Sequence, residues 1–136
     1  IKEASGNIQQ IMEILRHRPP HFTVLSGDDA LTLPLMALGA DGAISVVANE
    51  APLLFSSMVR LCLEEKFSEA RVVHEELLNL MSLNFIESNP IPVKCALAMM
   101  GMIEEAYRLP LTLMSGEHRF AVRRALEELH LLEPHQ

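Results

Sequence analysis

A strand–turn–helix unit in residues 22–38 restricts the possible folds of this 136-residue chain more than any other feature of its sequence. The apolar run FTVL (22–25) predicts a buried strand, and SGDD (26–29) predicts a turn. Residues 30–38 then predict a helix that ends at Gly39, because glycine readily adopts the left-handed conformation found just beyond a helix. Such a unit is typical of proteins in which strands alternate with helices.

A second unit of the same kind follows directly. AISVV (43–47) predicts another buried strand, and Asn49 predicts the cap of a helix that has Pro52 in its first turn and ends near Glu65. The apolar Ile1 predicts the remainder of a third strand. Strands joined through helices pair in parallel by right-handed crossovers, so this part of the chain predicts an α/β architecture.

Apolar residues at helical spacing predict four further helices. Asn7 is expected to cap the first of them, and Pro19 forbids its continuation. These helices comprise residues 8–17, 66–86, 93–105 and 117–129. Because no strand pattern lies among the last three, the chain is predicted to divide into β/α units (1–65) and a carboxyl-terminal helical region (66–136).

Composition and charge argue against several classes of function. Eleven Lys and Arg against 18 Asp and Glu give a formal net charge of −7, and no basic cluster interleaves with aromatic residues, so no nucleic-acid surface is expected. No apolar run approaches the roughly 20 residues that cross a bilayer, and the six histidines show no metal-ligand spacing. Cys62 and Cys95 lie in separate predicted helices, which favours reduced, core-filling thiols and a cytoplasmic setting.

Lys2 is the first candidate for chemistry. It follows the predicted strand remnant, and α/β folds carry their functional groups at the carboxyl ends of strands. A lysine attacks a ketone only when its amine is neutral, which requires a dry pocket or cationic neighbours. From the residue and its position alone, a solvated surface lysine is the favoured interpretation.

Two acidic residues follow the second strand and form another candidate. Asp28 and Asp29 are expected to cap the next helix, where the helix dipole favours negative charge. The alternative is a cation site, but no further oxygen-rich ligands accompany the pair.

Five separated motifs together carry far more information than any one of them. The order IKEASGN, VLSGDDA, GADGAISVVAN, NPIPVK and RLPL resembles the carboxyl-terminal half of the dihydrodipicolinate synthase (4-hydroxy-tetrahydrodipicolinate synthase) family, over residues 1–132. The resemblance implies the carboxyl-terminal part of a (β/α)8 TIM barrel, from the end of strand 6 through helix 8, followed by a helical extension. Among pyruvate-dependent aldolases, which include N-acetylneuraminate lyase, KEASGN and SGDD are most similar to the synthase branch.

The resemblance also implies a reaction and three site residues. Lys2 would form a Schiff base with pyruvate, and the resulting enamine would add to aspartate semialdehyde in lysine and diaminopimelate biosynthesis. Gly27 and the backbone carbonyl of Ile44 would line the substrate pocket, and a Cβ at Gly27 would crowd it. No metal or separate cofactor is implied, because the covalent imine on lysine serves as the electron sink.

The family's remaining site residues precede this chain in the family pattern. They are a paired-threonine loop, a proton-relay tyrosine, an acceptor-binding arginine and a lysine feedback site; Tyr107, the one tyrosine here, does not match the catalytic tyrosine. We therefore expect a segment of a longer enzyme, inactive by itself, whose complete form is a homodimer or homotetramer. The alternatives are another pyruvate-dependent aldolase, such as N-acetylneuraminate lyase, or a non-catalytic half-barrel that interacts with another chain.

Overall fold

A computed structural model describes residues 1–132 as a small parallel sheet covered by six α-helices; residues 133–136, the end of the predicted helical region, lie outside the described part. The strands are β1 (Lys2–Glu3), β2 (Leu25–Ser26) and β3 (Gly42–Ala43). The helices are α1 (Ile8–His17), α2 (Asp29–Ala37), α3 (Pro52–Leu63), α4 (Phe67–Leu83), α5 (Ile91–Met99) and α6 (Gly116–Glu128), and a 3-10 helix spans Val47–Asn49.

The three strands pair in parallel in the order β1-β2-β3, so β2 is the central strand. Lys2 lies beside Leu25, and Leu25 lies beside Gly42. The hydrogen bonds continue one residue past β2, where Gly27 donates to the Glu3 carbonyl at 2.7 Å, and one residue past β3, where Ile44 donates to the Ser26 carbonyl. The carboxyl ends of all three strands therefore meet at one edge of the sheet, as the predicted α/β architecture requires.

Both predicted internal strands are wrong in their extent. FTVL (22–25) contributes only Leu25 to β2, and Phe22 is 43% exposed, because a turn that closes from Phe22 N–H to the Pro19 carbonyl keeps the chain off the sheet. AISVV (43–47) contributes only Ala43 to β3. Beyond Ile44 the backbone turns into the 3-10 helix, and the N–H groups of Val46 and Val47 bond to a side chain instead of to a neighbouring strand.

Helix bounds follow the sequence more closely than strand bounds. The prediction for α1 is confirmed, and the Asn7 side chain accepts the Gln10 N–H at 3.1 Å. The predicted cap at Asn49 is wrong, since this residue lies in the 3-10 helix and α3 begins at Pro52 without a side-chain cap. Helix α5 begins two residues before, and ends six residues before, the predicted 93–105, and Gly101 follows it in the left-handed region.

Helix α4 joins the two predicted parts of the chain, because it packs against α2 and α3 on one side and α6 on another. The core between them is aliphatic and rich in sulfur: it contains Leu35, Phe55, Met58, Leu77, Leu80, Met81 and Leu126. Cys62 and Cys95 are buried and free, which confirms them as core-filling thiols. Burial raises the pKa of Cys62, and raises that of Cys95 to about 11. Across residues 1–132, the helices are all too short or too polar to span a bilayer.

Candidate functional site

The structure brings Lys2, Gly27 and Ile44 to the same edge of the sheet. Lys2 lies in β1, Gly27 directly follows β2, and Ile44 directly follows β3. Gly27 and Ile44 are in register with each other, and the Lys2 side chain, which starts two residues earlier in the register, extends over Gly27. The Lys2 side chain is exposed at this edge.

The Lys2 side chain lies directly over Gly27. A Cβ built on Gly27 would approach the Lys2 Cε to 2.6 Å, the Ala4 Cβ to 2.8 Å and the Lys2 Cγ to 2.9 Å. All three distances are shorter than any contact that a real Cβ tolerates. Gly27 is therefore required for space, since its backbone does not adopt the left-handed conformation that favours glycine elsewhere.

Ile44 contributes to this edge through its backbone. Its N–H donates to the Ser26 carbonyl at 2.8 Å, which holds the peptide in line with β2. Its side chain is 49% exposed and does not belong to the core. The position therefore fits a role for the main chain, in keeping with the role that the sequence resemblance implies.

Glu3 and Ser5 fix the turn that follows Lys2. Glu3 is buried, and its Oε1 accepts the Ser5 N–H at 2.8 Å. Hydrogen bonds from the Ser5 side chain and backbone hold the pKa of Glu3 below its usual range, so this carboxylate is charged at neutral pH. Sequence reasoning missed Glu3, because alternation along a two-residue strand gives no period from which burial could be predicted.

The two acidic residues of SGDD have different roles. Asp28 caps α2, accepting the Ala30 N–H at 3.1 Å, as predicted. The prediction that Asp29 is also a capping residue is wrong. Its carboxylate is 2% exposed, and Oδ2 accepts the N–H groups of Val46 at 3.0 Å and Val47 at 2.8 Å, in the loop after β3.

A further buried carboxyl group, Glu50, lies at the start of α3. It is 1% exposed, and its Oε2 accepts a hydrogen bond from Asn84 Nδ2 at 2.8 Å. Burial raises the pKa of Glu50 to about 8, and the negative charge of Asp29 acts in the same direction. No local pattern in the sequence indicates that Glu50 is buried, since its partner lies 34 residues further along the chain.

A metal centre is not formed by the residues that the structure describes. Among residues 1–132, no group of three or more His, Cys, Asp or Glu side chains lies close enough together to hold an ion. The polar groups at the described sheet edge include the Lys2 amine and the backbone amide and carbonyl groups of the neighbouring strand ends.

Parallel strands whose carboxyl ends meet at one edge, with helices between and around them, define an α/β protein, and Lys2 and Gly27 are the candidate site residues at that edge. Enzymes of the α/β-barrel class have this arrangement. The sequence model of the dihydrodipicolinate synthetase family matches residues 1–129, and the chain belongs to that family.

Individual relatives agree with this assignment. The 4-hydroxy-tetrahydrodipicolinate synthase of Prosthecochloris aestuarii is 53% identical over 132 residues, which are 97% of this chain and 44% of the relative. The solved dihydrodipicolinate synthase of Aquifex aeolicus superposes with a TM-score of 0.93 at 48% identity, covering 96% of this chain and 44% of that one. The enzyme of Thermotoga maritima gives a TM-score of 0.94 at 40% identity, over 97% and 46%. The chain thus spans less than half the length of these relatives.

Proposed function

We propose that this chain is the carboxyl-terminal part of a 4-hydroxy-tetrahydrodipicolinate synthase, a lyase of lysine and diaminopimelate biosynthesis. The observation that carries the proposal is the seating of the Lys2 side chain over Gly27, at the strand edge of a chain from this family. The substrates are pyruvate and aspartate semialdehyde. No separate cofactor is required, because the lysine itself supplies the covalent electron sink.

The reaction begins when the neutral Nζ of Lys2 attacks the ketone carbon of pyruvate. Loss of water gives a protonated imine, which draws electrons from the adjacent methyl group and allows a methyl proton to leave. The enamine then attacks the aldehyde carbon of aspartate semialdehyde and forms the new carbon–carbon bond. Attack by the acceptor's own amino group on the imine carbon closes the ring and releases the Lys2 amine.

Gly27 and Ile44 have supporting roles in this proposal. Gly27 leaves the volume in which the Lys2 side chain and the bound pyruvate lie. The Ile44 carbonyl lines the pocket, and the substitution of its exposed side chain by another apolar residue is expected to be tolerated. The tyrosine, threonines and arginine of the family pattern belong to the rest of the barrel, so we assign residues 1–132 to the end of strand 6 through helix 8 and the helical extension.

The proposal also assigns an assembly and a compartment to the complete protein. One solved relative is described as the first monomeric dihydrodipicolinate synthase variant, which sets it apart from other members. We therefore propose that the complete protein is a homodimer or homotetramer. We also propose that it is located in the cytoplasm, the setting that the free thiols of Cys62 and Cys95 favour.

Covalent trapping tests the catalytic role of Lys2. The complete polypeptide that carries this chain is incubated with pyruvate and borohydride, and tryptic peptides are analysed by mass spectrometry. We expect reduced pyruvate on Lys2 in the wild type and none in Lys2→Arg, because guanidinium does not form the imine. The matched control is Lys66→Arg, at an exposed lysine paired with Glu64. Labelling at another lysine, or at none, would contradict the proposal.

Activity of the 136 residues alone tests whether this chain is sufficient. We expect no condensation of pyruvate with aspartate semialdehyde by the isolated chain, because the proposed site draws on the rest of the barrel. Co-expression with the preceding part of a relative such as the Aquifex aeolicus enzyme is expected to restore activity. Product formation by the chain by itself would show that the site is complete within it.

A further inference from the structure

The loop that follows β3 is held by one buried carboxylate from the neighbouring helix. Asp29, the first residue of α2, accepts the N–H groups of both Val46 and Val47 through the same oxygen. A charged acceptor in a dry environment makes stronger hydrogen bonds than a neutral one. The helix does not need Asp29 for its own terminus, because Asp28 already caps it.

The same loop is also anchored on its other side, by the sheet. The Ile44 N–H donates to the Ser26 carbonyl in β2 at 2.8 Å. The Ile44 carbonyl therefore lies between two fixed points, the sheet on one side and Asp29 on the other. The Ile44 carbonyl belongs to the peptide plane between Ile44 and Ser45. The planes before and after it carry the anchored N–H groups of Ile44 and Val46, so its rotation is restricted from both sides and its direction depends on the Asp29 hydrogen bonds.

We infer that Asp29 is a positioning residue: it directs the Ile44 carbonyl toward pyruvate at Lys2 without touching the substrate itself. This inference rests on the proposed function, in which that carbonyl lines the pyruvate pocket. A backbone acceptor aimed at the substrate is effective only if its geometry is set before the substrate binds. Asp29 sets that geometry from a distance of 17 residues along the chain.

Steady-state kinetics of Asp29→Asn in the complete polypeptide test the inference, with Asp28→Asn as the matched control. Asparagine keeps the shape of Asp29 but is a weaker, neutral acceptor, so we expect the KM for pyruvate to rise about tenfold. Asp29→Ala, which removes the acceptor, is expected to raise KM further. Asparagine at position 28 still caps the helix, so the KM of the Asp28→Asn variant for pyruvate is expected to stay near or below that of the wild type.

The charge of the carboxylate by itself predicts the opposite change in the KM for pyruvate. Pyruvate is an anion, so removing a nearby carboxylate without disturbing the loop would lower KM at either position. A higher KM for Asp29→Asn only, with borohydride trapping still complete at saturating pyruvate, therefore supports the positioning role. Equal or lower KM values for the two variants would overturn it while leaving the proposed function intact.

Two further results separate failure of this inference from failure of the function. Absence of pyruvate trapping on Lys2 in the wild type overturns the proposed function, and the inference with it. If neither Asp29 variant folds, amide hydrogen exchange in the wild type decides whether the positioning role holds. Slow exchange at Val46 and Val47 that pyruvate slows further supports the inference, and exchange as fast as in an exposed loop overturns it.

Discussion

Replacing Gly27 by alanine in the complete polypeptide is expected to lower kcat/KM for pyruvate about 100-fold, because the added methyl group displaces the nucleophile by about 1 Å. The new Cβ would lie 2.6 Å from the Lys2 Cε, and the Ala4 Cβ at 2.8 Å prevents the backbone from moving away on that side. The lysine side chain must therefore leave its position over residue 27. Steady-state kinetics with pyruvate, combined with the rate of borohydride trapping on Lys2, measure the effect.

Gly116→Ala is the matched control for this experiment. It makes the same chemical change at the first residue of α6, where a Cβ meets nothing within 4 Å and the backbone is not in the left-handed region. Activity is expected to be unchanged. Wild-type trapping rates in Gly27→Ala would contradict the steric role assigned to Gly27, since the side chain would then have found an equally productive position.

Replacing Glu50 by glutamine is expected to stabilise the folded protein increasingly as the pH rises. The folded-state pKa of about 8 lies above the ordinary value of 4.5, so between these values the folded protein binds more protons than the unfolded chain. Stability that Glu50 contributes below pH 4.5 is therefore lost progressively as the pH rises toward 8. Glutamine cannot ionise, so the difference in unfolding free energy should grow by about 3 to 4 kcal/mol from pH 5 to pH 8.

Urea unfolding at several pH values measures this difference. Glu76→Gln, at an exposed position on α4, is the matched control and is expected to change the unfolding free energy equally at every pH. A constant difference between wild type and Glu50→Gln would mean that Glu50 titrates alike in the folded and unfolded states. Such a result would contradict the raised pKa that burial produces.

Local signals predicted the helix bounds well where capping residues or prolines within the neighbouring sequence define the helix ends. Asn7 and the prolines after residue 18 define α1, and the Ser115 side chain accepts the His118 N–H at the start of α6. The strands could not be bounded in this way. FTVL and AISVV have the composition of buried strands, yet the amide groups of Phe22, Val24, Val46 and Val47 bond to side chains or a turn, which no local pattern encodes.

The residues of the candidate site also differ in whether the local sequence could predict them. Lys2 lies in β1, and Gly27 and Ile44 follow the next two strands, so parallel pairing brings the three to one edge once the β/α order is recognised. Asp29 and Glu50 could not be assigned, because their partners lie 17 and 34 residues away. A carboxyl group near a helix start is usually exposed, and only the tertiary packing shows that these two are enclosed.

The hydrogen bond between Asn84 and Glu50 has a consequence for any shortened form of this protein. Asn84 is the C-cap residue of α4, and Glu50 lies two residues before α3, so this buried hydrogen bond joins the end of α4 to the start of α3. A cut near residue 65 would remove Asn84 and admit water to Glu50. In the shortened chain, the unfolding free energy would then no longer fall as the pH rises toward 8. The pH dependence of unfolding is therefore a simple measure of whether α4 is present and packed against α3.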